Sequence, residues 1–432
     1  MAANRKIKVV WICSVSNPDL RSHLKLGMPL WHKLFRLLLR KSTEHGAADS
    51  AIWNTNALHE FEKIDDVDLH VIFVHSRMMK KEQRFEQRGI HYYAVSDGDN
   101  SIISYFKIHF VKGSVPYKQS WKRINSIVKE INPEIIHVMG AENPPYSWSI
   151  LTFPSSTPII VQLQTLTHNP AVLKAYPNIH PEYELLVIRR ADYIGSPSNL
   201  FPGMVRQYIK KDPIFVNTHL LLAEKVNTEQ CEKVFDFVYF SNYINKAVDL
   251  AIEAFAIAHS HQPSLTLDII GGASEEELSV LKTRIRELGI SDAVTIEGRL
   301  ATHEDVITQI KKSRIALLPL KSDLISSTIR EAMWAGLPVI STITQETPLL
   351  NKDRESILLS TIGDHKALAD NMLKLVNSHD LEEILRNNGI ITTEEIFGNN
   401  AEKARGWVEA YRACLAHFHN GTPIPDHIIN KY

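Results

Sequence analysis

Short apolar runs separated by helical patterns recur along the chain. In the first half the runs cover residues 8–13, 69–74, 135–138, 159–163 and 193–195. In the second half they cover residues 235–240, 265–270, 294–296, 315–318 and 339–341, after a strand and connector at 214–222. Runs that are apolar throughout, rather than at every second residue, are typical of parallel strands buried on both faces. The sequence therefore predicts an α/β fold made of Rossmann-like, doubly wound parallel sheets.

The chain has 432 residues, more than one hydrophobic core normally supports, so two domains are expected. The second series of runs predicts a boundary between residues 211 and 235. We assign residues 1–215 to an N-terminal domain and 225–400 to a C-terminal domain. Residues 401–420 have a helical pattern, and we expect this helix to pack back on the N-terminal domain. Because ligands bind at the carboxyl ends of parallel strands, the two domains are expected to face each other across a cleft.

Charge and cysteine usage argue against several function classes. The formal net charge is −1 and no long block of one sign occurs, so we expect no nucleic-acid partner. Cys13, Cys231 and Cys414 are far apart and lack metal-ligand spacing, which is typical of a reducing compartment. The first apolar run is too short to span a bilayer and has no cleavage site, so we interpret it as a strand. These features predict a cytoplasmic protein.

Residues 30–41 predict a basic amphipathic helix. Its basic residues are His32, Lys33, Arg36 and Arg40, and its apolar residues are Leu30, Trp31, Leu34, Phe35 and Leu38. A helix of this kind with an exposed aromatic side chain can lie in a membrane interface. This reading predicts peripheral contact with the inner face of a membrane. An ordinary helix packed on the sheet with solvated charges remains the alternative.

The most informative segment for function is residues 323–340, which follows a buried run. The chain must turn into a helix near Ser326, Ser327 and Thr328, and the free N–H groups of a helix start bind phosphate well. Glu331, about one turn further on, can accept hydrogen bonds from both hydroxyls of a ribose. Thr328 and Glu331 also fit a capping box without any ligand, and the residues alone leave both interpretations open.

Residues 331–339, Glu-Ala-Met-Trp-Ala-Gly-Leu-Pro-Val, resemble the donor-domain signature of retaining glycosyltransferases with the GT-B fold, particularly family 4. That family has a further acidic residue eight positions before this glutamate, where the chain has Asp323. The resemblance implies that Asp323 contacts the donor sugar and that Glu331 contacts the nucleotide ribose. It also implies the GT-B arrangement of two Rossmann-like domains.

Residues 240–255 resemble the segment in which the family binds the pyrophosphate, and Lys246 falls on its lysine. The family's arginine and glycine in this segment are Ser241 and Ala247 here. Glycine turns after two strands resemble further donor contacts. The donor-binding residues implied in this way are Ser241, Gly271, Gly272, Arg299, Ser326, Ser327 and Thr328.

The first half resembles the family's acceptor domain more faintly. Where the family has a histidine that contacts the donor sugar, this chain has Gln164, with His168 shortly after it. The family's glycine-rich loop after the first strand is replaced by a loop that contains Ser14 and Asn17. These four residues are our candidates for the acceptor or sugar side of the site.

The implied function is a retaining transfer from a nucleotide diphosphate sugar to a glycan or a lipid-linked acceptor, with Asp323, Lys246 and Glu331 as the catalytic set. A cation and a helix start can stabilise the departing diphosphate, so we expect no metal and no cofactor. Two alternatives stay open: a partner subunit that keeps the fold without turnover, and a nucleotide-sugar epimerase, for which no proton-abstracting base is evident. No Gly-x-Gly-x-x-Gly follows a strand, which argues against a dinucleotide-dependent dehydrogenase.

Overall fold

A computed structural model gives the fold of the chain. It describes residues 5–28, 30–38, 49–97, 117–164, 166–168, 181–196, 201–209, 213–218, 231–241, 247–321, 327–344 and 346–429. The chain divides into two compact units. The first unit comprises Met1–Leu221 and Asn400–Tyr432, and the second comprises Leu222–Asn399.

The first unit is built on a largely parallel sheet. Its strands are β1 (Ile7–Cys13), β2 (Val67–Val74), β3 (Glu82–Gln87), β4 (Ile90–Val95), β5 (Ile135–Met139), β6 (Ile159–Gln162), β7 (Tyr193–Ser196) and β8 (Ile214–Asn217). Within the described residues their order is β3-β4-β2-β1-β5-β6-β7-β8. All neighbours pair in parallel except β3, which runs antiparallel to β4. The carboxyl ends of the parallel strands therefore lie at one edge of the sheet.

Helices connect these strands and cover the sheet. They are α1 (Pro18–Ser22), α2 (Leu30–Leu38), α3 (Ile52–Phe61), α4 (Lys118–Ile131), α5 (Pro181–Arg190) and α6 (Phe201–Arg206). Every residue of β5 and β6 is buried, as expected for central strands that are covered on both faces.

The second unit contains a sheet that is parallel throughout its described strands. These are β9 (Phe235–Phe240), β10 (Leu267–Ile270), β11 (Val294–Gly298), β12 (Ser313–Leu317), β13 (Val339–Thr342) and β14 (Ile357–Ser360). Their order is β11-β10-β9-β12-β13-β14. The helices of this unit are α7 (Val248–His261), α8 (Glu275–Glu287), α9 (His303–Ile310), α10 (Ser327–Trp334), α11 (His365–Val376) and α12 (His379–Phe397).

The last helix, α13 (Asn400–Asn420), belongs to the core of the first unit. The buried Tyr411 hydroxyl accepts a hydrogen bond from Trp11 Nε1 at 2.9 Å and lies 2.8 Å from His137 Nδ1. Burial lowers the pKa of His137 to about 3, so its imidazole is neutral. Trp407 packs against the rings of both Trp11 and His137. One hydroxyl between two buried partners thus fixes α13 on β1 and β5.

The predicted α/β fold with two parallel-dominated sheets is confirmed. The sequence patterns do not predict the β3–β4 hairpin. Strand β3 reads Glu-Gln-Arg-Phe-Glu-Gln and has no buried residue, so it lacks the continuous apolar signal of the central strands. An antiparallel strand at the edge of a sheet is solvated on more than one side and needs no such signal.

Ala247 precedes α7 in the left-handed backbone region, with φ +53° and ψ +37°. This is the position at which the family signature has glycine. An L-residue in this region pays roughly 1–2 kcal/mol because its Cβ crowds the following carbonyl group. The backbone geometry therefore gives a physical reason for glycine in the signature, and Ala247 keeps the same geometry at a cost in stability.

We expect Ala247→Gly to preserve the free energy of unfolding of the second unit better than Ala254→Gly does, by roughly 1–2 kcal/mol. Both substitutions remove a buried methyl group, but only the first also removes the Cβ strain of a left-handed residue, whereas the second lowers helix propensity as well. Urea denaturation followed by circular dichroism measures both changes. An equal loss of stability in the two variants would contradict this account.

Candidate active site

The predicted phosphate-binding helix is α10, which starts at Ser327. Its buried residues Ile329, Ala332 and Met333 pack into the core of the second unit. Ser327, Thr328 and Glu331 are half-buried and lie outside that packed stripe. The start of α10 and the Glu331 carboxylate one turn later are therefore accessible, at the point where the connection from β12 enters the helix.

The end of α10 is fixed by Gly336. Its φ is +74°, its N–H donates to the Met333 carbonyl at 3.0 Å, and the Leu337 N–H donates to the Ala332 carbonyl at 2.9 Å. This pair of hydrogen bonds is the Schellman motif, which requires a left-handed residue at the helix end. The chain then enters β13, so both ends of α10 are held relative to the sheet.

Arg330 is a site residue that the sequence analysis missed. It precedes Glu331 on α10, and the carboxylates of Glu346 and Glu331 interact with its guanidinium. Burial lowers the pKa of Arg330 to about 10 against the opposing effect of these carboxylates, which leaves it charged at neutral pH. Glu346 is buried in the connection that follows β13. A half-buried cation thus lies beside the predicted ribose-binding carboxylate.

The remaining predicted donor residues lie at the ends of neighbouring strands. Ser241 follows β9, and its N–H donates to the Ile270 carbonyl at 3.0 Å. Gly271 follows β10, and its N–H donates to the Gly298 carbonyl at 2.8 Å. Arg299 follows β11 directly and is exposed. Because β11, β10, β9 and β12 are consecutive in the sheet, the described donor candidates share one edge.

An exposed ion pair connects two of the loops at this edge. Lys321 Nζ, four residues after β12, lies 2.5 Å from Asp249 Oδ2 in the first turn of α7. In the sequence, residues 242–246 separate Ser241 from Ala247, and residues 322–326 separate Lys321 from Ser327. Lys246, Asp323 and Ser326 fall within them and lie outside the described residues.

In the first unit, Ser14 and Asn17 follow β1. The Asn17 side chain accepts a hydrogen bond from the Leu20 N–H at 2.9 Å and so caps α1. Its amide nitrogen lies 3.3 Å from Thr55 Oγ1, and Asn54 donates to the Ser14 carbonyl at 2.8 Å. Asn17 is therefore engaged in building the loop, whereas the Ser14 side chain is half-buried.

Gln164 and His168 lie in the loop after β6, and a buried carboxylate holds this loop. Glu184, on α5, is 1 % exposed and accepts hydrogen bonds from the Thr167 N–H at 2.9 and 3.0 Å and from its hydroxyl. His168 Nδ1 lies 3.4 Å from the same carboxylate. Burial raises the pKa of Glu184, and the contacts with Thr167 and His168 oppose that effect.

Glu142 is a second carboxylate that the sequence analysis missed, although it follows β5 directly. Burial raises its pKa to about 7, hydrogen bonds from the backbone lower it, and nearby Glu184 raises it further. Gly140 makes the turn possible: its φ is +101°, and a Cβ there would lie 2.8 Å from Asn143 Nδ2. The carboxyl edge of the first sheet thus carries two interacting carboxylates beside Gln164 and His168.

Helix α2 exposes apolar side chains. Leu30, Leu34, Leu37 and Leu38 are 78, 63, 61 and 81 % exposed. Trp31 and Phe35 are half-buried, so the exposed apolar surface is made of leucines and not of the aromatic residues that the sequence suggested. Arg40 lies outside the described residues. No helix in the described part of the chain has both the length and the apolar character needed to cross a bilayer.

Comparison with known proteins finds a family match within the second unit. Residues 225–391 match the family described as glycosyl transferases group 1. The GtfA subunit of the UDP-N-acetylglucosamine–peptide N-acetylglucosaminyltransferase of Streptococcus gordonii is 35 % identical over 95 residues, which are 22 % of this chain and 18 % of that protein. The chain therefore matches about a fifth of the length of this relative.

Solved structures match over nearly the whole chain. Sucrose-phosphate synthase from Thermosynechococcus elongatus has a TM-score of 0.66 at 14 % identity, with 95 % of this chain and 100 % of that chain covered. The Anabaena protein HepE, solved in complex with UDP and glucose, has a TM-score of 0.62 at 12 % identity, with 94 % and 99 % covered. At these identities the likeness concerns the fold.

We expect the free energy of unfolding of the Glu142→Gln variant, relative to the unaltered protein, to increase with pH between 4.5 and about 7. The folded state keeps Glu142 protonated in this window while the unfolded state ionises, so the unaltered protein loses stability as pH rises and glutamine does not. Urea denaturation at several pH values measures the difference. Glu402→Gln, at an exposed position of the same unit, is the control and should show no such slope. A difference that is independent of pH would contradict the assignment.

Proposed function

We propose that this chain, whose residues 225–391 match the glycosyl transferases group 1 family, transfers a sugar from a nucleotide diphosphate to a hydroxyl acceptor. The observation that carries the proposal is the shared edge of the second sheet, where the start of α10, Glu331, Ser241 and Gly271 follow neighbouring strands. The relative from Streptococcus gordonii is named for a UDP-sugar, and HepE was solved with UDP and glucose. A uridine diphosphate sugar is therefore the first donor to test.

On the donor side, backbone N–H groups at the start of α10 would bind the diphosphate. Glu331 would accept hydrogen bonds from the ribose hydroxyls. Lys246 would neutralise charge that develops on the leaving group, and Asp323 would orient the sugar. The guanidinium of Arg330 lies close enough to the Glu331 carboxylate to interact with it, which adds a cation to this part of the proposed donor site.

We infer a retaining transfer that needs no metal or cofactor. The bond between the anomeric carbon and the diphosphate oxygen breaks, and the acceptor oxygen forms its bond on the same face of the sugar. The acceptor proton leaves with the diphosphate. Lys246 and the helix start would supply the positive potential that a divalent cation supplies in other transferases. The stereochemistry rests on the resemblance of residues 331–339 to the retaining family.

On the acceptor side, the edge formed by Glu142, Glu184, Gln164 and His168 suits a polyhydroxylated molecule. Carboxylates accept hydrogen bonds from hydroxyl groups, and the glutamine amide can donate as well as accept. The buried Glu184 is already saturated by Thr167, so Glu142 and Gln164 are the groups that we assign to the acceptor. A glycan or a lipid-linked saccharide meets these requirements.

Replacement of the ribose-binding carboxylate tests the donor site. We expect Glu331→Gln to lower the rate of donor turnover at subsaturating donor by roughly 100-fold, equivalent to about 3 kcal/mol of lost hydrogen bonding to a charged acceptor. Lys246→Ala should have at least the same effect. Hydrolysis of candidate UDP-sugars and calorimetric titration with UDP provide the two readouts.

The matched control is Glu304→Gln, which alters an exposed carboxylate in the first turn of α9 in the same unit. It should turn over donor at the unaltered rate. Normal turnover by both Glu331→Gln and Lys246→Ala would refute the donor site. UDP binding without turnover by the unaltered chain would instead favour a non-catalytic partner subunit. The Streptococcus gordonii relative is itself named as a subunit.

The exposed leucines of α2 support a membrane-proximal acceptor at the inner face of a membrane. Leu34 and Leu38 are more than half exposed, and Lys33 beside them is exposed as well. Insertion of a leucine side chain into an apolar phase contributes roughly 1.5–3 kcal/mol, and basic residues add attraction to anionic lipid. We therefore propose peripheral membrane contact through residues 30–41.

We expect the double variant Leu34→Ser/Leu38→Ser to bind vesicles that contain anionic phospholipid at least about tenfold more weakly than the unaltered chain, because two apolar contacts are lost. Cosedimentation with vesicles measures binding. Val280→Ser alters an apolar side chain that is 67 % exposed on α8, and it should bind vesicles normally. Equal binding by the α2 variant would contradict membrane contact through this helix.

A further inference from the structure

Three side chains of metal-ligand type meet on one face of the first sheet. Asp68 and His70 alternate along β2 and so share a face, and His91 on β4 is the register partner of His70. Asp68 Oδ1 lies 3.3 Å from His70 Nε2 and 3.8 Å from His91 Nε2. All three ligand atoms lie within 4.8 Å of one another, and among the described residues this is the one such group.

These separations approach those of a metal centre. Ligands bound to zinc at about 2.0–2.2 Å in tetrahedral geometry are separated by roughly 3.2–3.6 Å. The distances from Asp68 Oδ1 to His70 Nε2 and to His91 Nε2, 3.3 and 3.8 Å, lie within this range or a few tenths of an ångström outside it. The Asp68 and His91 side chains are 34 and 39 % exposed, so the cluster opens to solvent and leaves room for water as a further ligand.

The buried histidine gives an independent indication. His70 is 9 % exposed, and its buried Nε2 atom contacts Asp68 Oδ1 at 3.3 Å without the geometry of a hydrogen bond. Its other ring nitrogen, Nδ1, lies 3.1 Å from the Tyr93 hydroxyl. A buried nitrogen without a hydrogen bond is costly, whereas an imidazole that hydrogen-bonds through one nitrogen is oriented to bind a metal through the other.

The second nitrogen of each imidazole is also held. His70 Nδ1 lies 3.1 Å from the Tyr93 hydroxyl and His91 Nδ1 lies 3.5 Å from Glu86 Oε2, so both histidines have a polar partner on the nitrogen that faces away from Asp68. These contacts orient both Nε2 atoms towards Asp68, where an ion would lie.

We propose that Asp68, His70 and His91 form a binding site for a divalent transition-metal ion of the zinc type. Imidazole ligands favour zinc, copper, nickel or iron over magnesium and calcium. The site lies towards the amino ends of β2 and β4, whereas Ser14 and Glu142 follow the carboxyl ends of β1 and β5. The ion therefore joins β4 to β2 and secures the β3–β4 hairpin, and it takes no part in sugar transfer.

Titration of the full chain with zinc and cobalt tests the site after removal of metals by a chelator. We expect one equivalent of Zn²⁺ to bind and to raise the melting temperature, and one equivalent of Co²⁺ to give the visible absorption of a site with nitrogen ligands. His91→Ala and Asp68→Asn should each weaken zinc binding by about 100-fold or more, because each removes a direct ligand. Circular dichroism establishes that the variants are folded.

The chain has 20 histidines, so a matched control is needed to separate this site from adventitious binding. His427 Nε2 lies 2.8 Å from Glu409 Oε1 in an exposed pair of the same unit, and His427→Ala should bind zinc like the unaltered chain. Equal zinc affinity of folded His91→Ala and Asp68→Asn would overturn the proposal, and so would the absence of a stoichiometric site in the unaltered chain. Neither readout depends on donor turnover, so the two proposals fail independently.

Discussion

Parallel strands cannot be joined by tight turns, and this constraint organises the chemistry of both units. Each parallel strand needs a long connection that returns to the opposite edge of the sheet, so the ends of β9, β10, β11 and β12 all open into loops on one side. Hydrogen bonds from Ser241 to Ile270 and from Gly271 to Gly298 tie these loops together at their origins. The strand interiors are filled by apolar side chains, which leaves the carboxyl edge for polar groups.

Buried polar groups in the first unit position the elements around them. Glu184 is almost fully buried, and its cost is offset because Thr167 donates to it through both its backbone and its hydroxyl. This arrangement holds the loop that carries Gln164 and His168 against α5. The Tyr411 hydroxyl does the same for α13, through Trp11 and His137. In both cases a saturated polar contact selects one arrangement among many that apolar packing alone would allow.

Local signals in the sequence were sufficient for the central strands and for the start and end of α10. Those features depend on neighbouring residues, as in the apolar run of β12 or the glycine at 336. Glu142 and Glu184 were not predicted as a pair because they come from separate elements and meet only in the folded unit. Asn17, a candidate for the acceptor or sugar side, caps α1 through its side chain, a role that the sequence analysis did not predict. Lys246 and Asp323 stay predictions.

The Asp68–His70–His91 cluster illustrates the same limit. Two of its members are two residues apart on one strand, but the third joins them only through the register of β2 with β4. The spacing of these three residues along the chain does not indicate a metal site, because strand β3, which separates His70 from His91, has an ordinary polar sequence. Cross-strand pairs of this kind become visible only when the register is known.

Helix α13 follows the whole second unit in the chain yet completes the core of the first. During synthesis, the surfaces of β1 and β5 that Trp407 and Tyr411 cover stay incompletely packed until α13 has been translated. The contiguous second unit has no such requirement and can acquire its structure earlier. The second unit can therefore complete its fold before the first, although it is translated later. A nascent chain that stalls before α13 leaves the face of β1 that carries Trp11 exposed to chaperones.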